Sequence, residues 1–257
     1  KTKQSITKRT KAIMPVDFNG RAVDIKKITE LANQHNLSLI EDAAHGLGCF
    51  YGKKHVGTMS DIGIFSFSTP KIITTGQGGM IVTNDKKLYE KCKSVKDFGR
   101  KSNTKQNMRM AFDHPTIGYN FKFTEFQAAI GISQMKKLPK RIIKKKKMYE
   151  RYKENLCNVK GISFVETDLK KITPWMMDII LESKHKKNKL IAYLEKNLIE
   201  TRIFYPPIHR LKPYKNRDNK FKTTSNVSDK GLWLPSSVNL KDNEINLISN
   251  RIKYFFS

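Results

Sequence analysis

The sequence is poor in several things that would open other functional classes. It has three cysteines, Cys49, Cys92 and Cys157, and no CxxC pair. That argues against a disulfide framework or a cysteine zinc site and suits a reducing, cytoplasmic setting. No run of about 18 apolar residues is present, so no membrane span is expected. The basic opening KTKQSITKRTK is not followed by an apolar segment, so no signal peptide is expected. Internal repeats are absent. Acidic residues are scarce, 23 against 50 basic ones, giving a formal net charge of +27. The lysines are spread along the whole chain and no nucleic-acid motif accompanies them. The charge therefore reads as lysine-decorated surface rather than a nucleic-acid interface. It could still speed the encounter with a phosphorylated small substrate.

What is present is the pattern of an α/β protein with a core. KAIMPVDF (11–18) reads as a strand. DIKKITELANQHN (24–36) has apolar residues at 25, 28, 31 and 32, a helical spacing, and LSLIED (37–42) is the next strand. Strand, helix, strand implies a parallel sheet. DIGIFSFS (61–68) and GGMIVTN (78–84) are further strands, and residues 86–99 form a helix with a glycine stop. Residues 100–118 read as irregular. TEFQAAIGISQMKKL (124–138) is a helix capped by Thr124, and the basic run 140–155 continues as a long helix after Pro139. Later residues alternate short strands (ISFVE, WMMDIIL, RIFY) with helices over 188–200 and 241–256. The expected division is a large domain over 1–140, and the long helix with a small α+β domain over 141–257. Trp175 and Trp233 read as packing residues of the small domain, and Cys49 as a small buried side chain.

One group of residues suggests chemistry. Strand 37–42 ends on Asp42, with His45 three residues on. Strand 61–68 carries Ser66, followed by Lys71 and the glycines of GQGG. Ligands of parallel sheets bind beyond the carboxyl ends of the strands. A lysine held and partly desolvated there can attack a carbonyl. Pyridoxal phosphate needs such a lysine, an acid at its pyridine nitrogen, hydroxyls or N–H groups at its phosphate, and backbone that can approach the ring. Alone, Lys71 would read as a surface lysine in a glycine-rich hairpin. Glu41 and Asp42 could suggest a metal site, but no ligand cluster accompanies them.

The words IMPVDFNGRAVDIKKI, LIEDAAHGLG, GKKHVGTMSDIGIFSFSTPKIITTGQGGMIVTND, KDFGR, GYNFKFTEFQAAIGISQMKKL and TRIFYPPIHRL occur in that order over nearly the whole chain. Together they resemble the DegT/DnrJ/EryC1/StrS sugar aminotransferases, pyridoxal-phosphate enzymes of fold type I, and within them the perosamine-synthase-like branch. The spacing agrees, with 29 residues from Asp42 to Lys71 and five from Ser66 to Lys71. The resemblance implies that Lys71 holds the cofactor covalently and carries the reaction's proton. It implies that Asp42 meets the pyridine nitrogen, His45 lies against the ring and Ser66 binds the phosphate. Asn120 would reach the phosphate of the other subunit's cofactor, which implies a homodimer. Arg202 and His209 are open between a substrate-side and a structural role. The implied reaction is transamination of a nucleotide-linked 4-keto-6-deoxy sugar of GDP-perosamine type, for surface polysaccharide or glycan synthesis, with glutamate as donor. Rival readings are a non-catalytic paralogue, a basic binding protein, or a sugar dehydratase of the same scaffold. In the dehydratase a histidine replaces the lysine, so Lys71 argues against it. The family carries a long stretch ahead of the first matching word, including a phosphate-binding turn. Without that stretch the large domain is expected to be incomplete, with an unpaired sheet edge and exposed apolar surface.

Overall fold

The computed structural model describes residues 1–101, 112–214 and 220–257. The irregular stretch expected over 100–118 lies partly outside them. The chain divides into two compact units, Lys1–Pro139 with Lys170–Thr173, and Lys140–Leu169 with Pro174–Ser257.

In unit 1 a short helix, α1 (Thr2–Ser5), precedes β1 (Ala12–Ile13), α2 (Ile25–Gln34) and β2 (Ser38–Asp42). Asp24 caps α2 by accepting from the Lys27 N–H, and the buried side of the helix carries Ile25 and Ala32. A two-stranded ribbon, β3 (Phe50–Tyr51) with β4 (Lys54–His55), leads to β5 (Ile62–Ser66) and β6 (Gly79–Val82). The sheet order is β1-β2-β5-β6. β1, β2 and β5 run parallel, and β6 closes the sheet antiparallel to β5. The expected mostly parallel sheet is there, but its first strand is far shorter than residues 11–18. Pro15 donates no ladder hydrogen bond, and pairing resumes only at the isolated Val16–Asp42 bridge. β1 and β6 are the edges, and on β6 Met80 and Ile81 are 52% and 53% exposed, as an uncovered sheet requires. The buried cluster Ala43, Cys49, Val56 and Phe65 lies at the sheet's carboxyl end. Residues 170–173 join this unit. Thr173 is fully buried, donates its hydroxyl to Gly48 O and receives the Cys49 thiol on its carbonyl. α3 (Lys86–Lys96) follows β6, capped by Asp85.

α4 (Glu125–Leu156) is a single helix through Pro139, so the basic run 140–155 continues the helix that starts after Thr124, as expected. A proline inside a helix removes one hydrogen bond, and here that loss is absorbed without ending the helix. Thr124 accepts from the Gln127 N–H at its start. In unit 2, Lys145, Met148, Tyr149, Tyr152 and Leu156 form the helix's buried stripe. They pack against the sheet of β7 (Ile162–Phe164), β8 (Met177–Leu181), β9 (Arg202–Ile203) and β10 (Gly231–Leu234), and against α5 (Lys184–Lys196) and α7 (Asp242–Phe256), while α6 (Lys222–Lys230) lies against α5 and β8. The order is β7-β8-β10-β9, antiparallel throughout. α5 begins earlier than the sequence suggests, because Ser183 caps it by accepting from the Lys186 N–H. It also ends earlier, because Leu198 sits at φ 59°. β10 and α6 are additions to the expected elements. GLWL is buried at every position and shows no alternation. KTTSNVSDK shows no apolar helical stripe.

Candidate active site

The site residues of unit 1 are placed by the carboxyl ends of two adjacent parallel strands. β2 ends on Asp42, which lies opposite Ile64 of β5, and Ser66 ends β5. The Asp42 backbone is tied on both sides. Its N–H donates to Pro15 O at 2.9 Å, and its carbonyl accepts from the Asp17 N–H at 3.0 Å. Its Oδ1 accepts from the Ala44 N–H at 3.0 Å, while Oδ2 takes no hydrogen bond from the described residues. The carboxylate is half-buried, as a partner for a cationic ring nitrogen should be.

Ser66 Oγ lies 3.1 Å from Ser68 Oγ and accepts from the Ser68 N–H at 3.3 Å. The chain then turns, the Lys71 N–H donating to Ser68 O at 3.1 Å. Ile72 and Ile73 are 6% and 1% exposed and anchor the loop beneath, so the half-buried Lys71 is held while its neighbour Pro70 faces solvent. Cross-loop bonds complete the ring. The Phe67 N–H donates to Gly78 O, the Thr75 N–H to Phe67 O, and the Thr69 hydroxyl to Gly76 O.

His45 is half-buried. Its Nδ1 accepts from the Asn19 N–H at 3.3 Å, and the Phe18 ring meets it edge-on at 5.6 Å between centroids. Burial, and then the charge of Lys71, push the imidazole down to about 4, so it is neutral at physiological pH.

Asn120 also belongs to unit 1. It is exposed and bridges Asp97 through its backbone. Arg202 and His209 belong to unit 2. The Arg202 guanidinium lies over the rings of Tyr205 and Trp233, at 5.1 and 5.9 Å. His209 stacks on Phe221 and its Nε2 lies 3.0 Å from Ser225 Oγ. The sequence reading missed Ser68, although it is two residues from Ser66. It also missed the backbone of Asn19, whose contribution no side-chain pattern can signal.

A carboxylate with a free oxygen, a neutral imidazole, a half-buried lysine in the loop after β5 and a paired serine set are the donor chemistry that pyridoxal phosphate requires, so these residues fit that group. The sequence profile that matches residues 1–253 decides the assignment. The chain belongs to the DegT/DnrJ/EryC1/StrS aminotransferase family. It is 36% identical to a GDP-perosamine synthase of Escherichia coli over 254 residues, which is 99% of this chain and 68% of that protein. It is 34% identical to the GDP-perosamine synthase of Vibrio cholerae, covering 99% of this chain and 69% of that one. Among solved structures it is similar to the Helicobacter pylori aminotransferase PseC, involved in the biosynthesis of pseudoaminic acid. There the TM-score is 0.89 at 29% identity, over 98% of this chain and 68% of that one. The fold is therefore that of the fold-type I, pyridoxal-phosphate-dependent sugar aminotransferases. Among the described residues no helix is long and apolar enough to cross a membrane.

Proposed function

We propose that this aminotransferase works on a GDP-linked 4-keto-6-deoxy sugar, takes its amino group from glutamate, and acts in the cytosol as a homodimer. The observation that carries the catalytic part is the placement of Asp42 and Ser66 at the carboxyl ends of adjacent parallel strands, with Lys71 in the turn that follows Ser66. The choice of GDP-sugar rests on the two relatives of 36% and 34% identity.

When bound, pyridoxal phosphate supplies an electron sink for the negative charge left on a carbon that has lost a proton. Asp42 would hold the pyridine nitrogen protonated through its free oxygen. Ser66 and Ser68 would donate their hydroxyls to the phosphate. His45, neutral and held at Nδ1, would support the ring. Lys71 would anchor the cofactor and move the proton at the substrate carbon, as base in its neutral form and as acid in its cationic form. Asn120, which is exposed, serves the partner subunit's site. Arg202 and His209 are proposed as substrate-side groups, with their ring contacts setting their orientation.

The test is product analysis. The protein is incubated with pyridoxal phosphate, glutamate and GDP-, UDP- or dTDP-linked 4-keto-6-deoxy sugars. The proposal expects 2-oxoglutarate and an amino sugar from the GDP substrate. Turnover confined to a UDP or dTDP substrate would overturn the sugar assignment, and no 2-oxoglutarate from any of them would overturn the transamination.

A further inference from the structure

Behind the site lie two carboxyl groups to which the catalytic reading gives no task. Asp17 and Glu41 are both fully buried. Asp42 and Glu41 are consecutive on β2, so their side chains leave opposite faces of the sheet. Asp17 Oδ1 accepts from the Val23 N–H at 3.0 Å and Glu41 Oε2 accepts from the Met59 N–H at 3.2 Å. The remaining oxygens, Asp17 Oδ2 and Glu41 Oε1, receive no donor from the described residues. Two buried carboxylates side by side cannot both keep their charge. One proton between them satisfies both orphaned oxygens at once, and a buried acceptor left without a donor is costly.

The pair sits at the base of the turn that reaches His45. From Asp17 the chain passes through Asn19 at φ 55° and Gly20 at φ 81°. A side chain at Gly20 would meet Cys49 Sγ and Thr173 O at 2.7 Å, so the turn fits only one way. This path brings the Asn19 N–H to His45 Nδ1 and the Phe18 ring to its edge. At the same residue the Asp17 N–H holds the Asp42 carbonyl. A hydrogen bond received at Nδ1 leaves the imidazole proton on Nε2.

We propose that Asp17 and Glu41, sharing one proton, are positioning residues that lock the 17–23 turn and thereby fix the orientation and tautomer of His45. Burial, and more weakly the neighbouring charges of Glu41 and Asp42, raise the Asp17 carboxyl to about 7. The inference deepens the reading of His45 as the residue against the cofactor ring, but its test needs no cofactor.

The test is the titration of His45 in the cofactor-free protein, followed by NMR of its ring nitrogens and Cε1–H. It compares the parent, Asp17→Asn, Glu41→Gln and the double variant, each checked for folding by circular dichroism. In either single variant an amide N–H takes the place of the shared proton and every acceptor keeps a donor. In the double variant one amide group is left facing a backbone N–H. The parent should titrate near 4 with Nδ1 unprotonated. Both single variants should match it. The double variant should move the midpoint by about one unit or more towards the ordinary value. A double variant that titrates like the parent overturns the positioning role. A single variant that shifts as far as the double overturns the shared proton. Pyridoxal phosphate is added only afterwards, so a failure to bind it would strike the cofactor reading and leave the NMR result standing.

Discussion

The backbone N–H of Asn19 points at Nδ1 of His45, 3.3 Å away. Burial, and then the charge of Lys71, keep the imidazole neutral, and the Asn19 contact fixes its orientation. The first prediction follows from that arrangement. In the folded protein His45 titrates near 4 rather than 6.5, so the unfolded chain binds more protons between those values. Stability should therefore rise with pH across that window. Replacing Lys71→Met should raise the His45 midpoint part-way, since burial, the larger cause, remains. An unchanged midpoint in the NMR titration would place the Lys71 amine away from His45.

Ser66→Ala removes one hydroxyl from the paired set that also holds Ser68. The loss of one charge-assisted hydrogen bond, about 1.5 kcal/mol, should weaken pyridoxal phosphate binding roughly tenfold. Fluorescence or absorbance titration of the cofactor measures this, with stability unchanged.

Gly78→Ala tests the loop that closes over Lys71. Gly78 sits at φ 144°, and a Cβ there would lie 2.6 Å from the Phe123 ring and 2.8 Å from Thr75 Oγ1. Strain of about 1–3 kcal/mol is expected. Denaturant unfolding should show the loss, and the displaced loop should lower cofactor affinity as well. An unchanged midpoint in denaturant would contradict the rigid loop.

Lys145 supplies a prediction for unit 2. Its buried amine donates to Trp175 O at 2.6 Å and Ser236 O at 2.5 Å, tying α4 to two loops. Burial lowers it to about 7 from 10.5. The unfolded state thus binds more protons between those values, and stability should rise as pH climbs through them. Lys145→Met should flatten that slope and, by leaving two carbonyls unpaired, cost about 2 kcal/mol at pH 8. Thermal melts across that pH range read both effects.

Much of this architecture can be read in the sequence because its elements carry strong local signals. LSLIED is a short apolar run closed by the acidic Glu41 and Asp42, α2 has a helical stripe behind an Asp cap, and Asp42 and Ser66 end two adjacent strands. The misses have physical causes. β10 is buried on both faces and so loses the period-two pattern. α6 is built from serine, threonine and asparagine, which favour caps and turns over helix interiors. The continuation of α4 past Pro139 is legible as well, and the buried Lys145, Met148, Tyr149 and Tyr152 along it offset the one hydrogen bond the proline removes. In the site, side chains with known chemistry are legible. Contributions made by backbone groups, such as the Asn19 N–H, carry no residue signature. The Asp17–Glu41 pair is invisible for another reason, since the two residues lie 24 positions apart and meet only once β2 is paired.

The most direct test of the central claim is the visible absorption of the protein after pyridoxal phosphate is added, measured beside Lys71→Ala. The account predicts a band in the parent that the variant lacks and that glutamate bleaches. A band of equal strength in Lys71→Ala, or one that glutamate leaves untouched, would contradict the assignment of Lys71 as the cofactor's anchor in an aminotransferase.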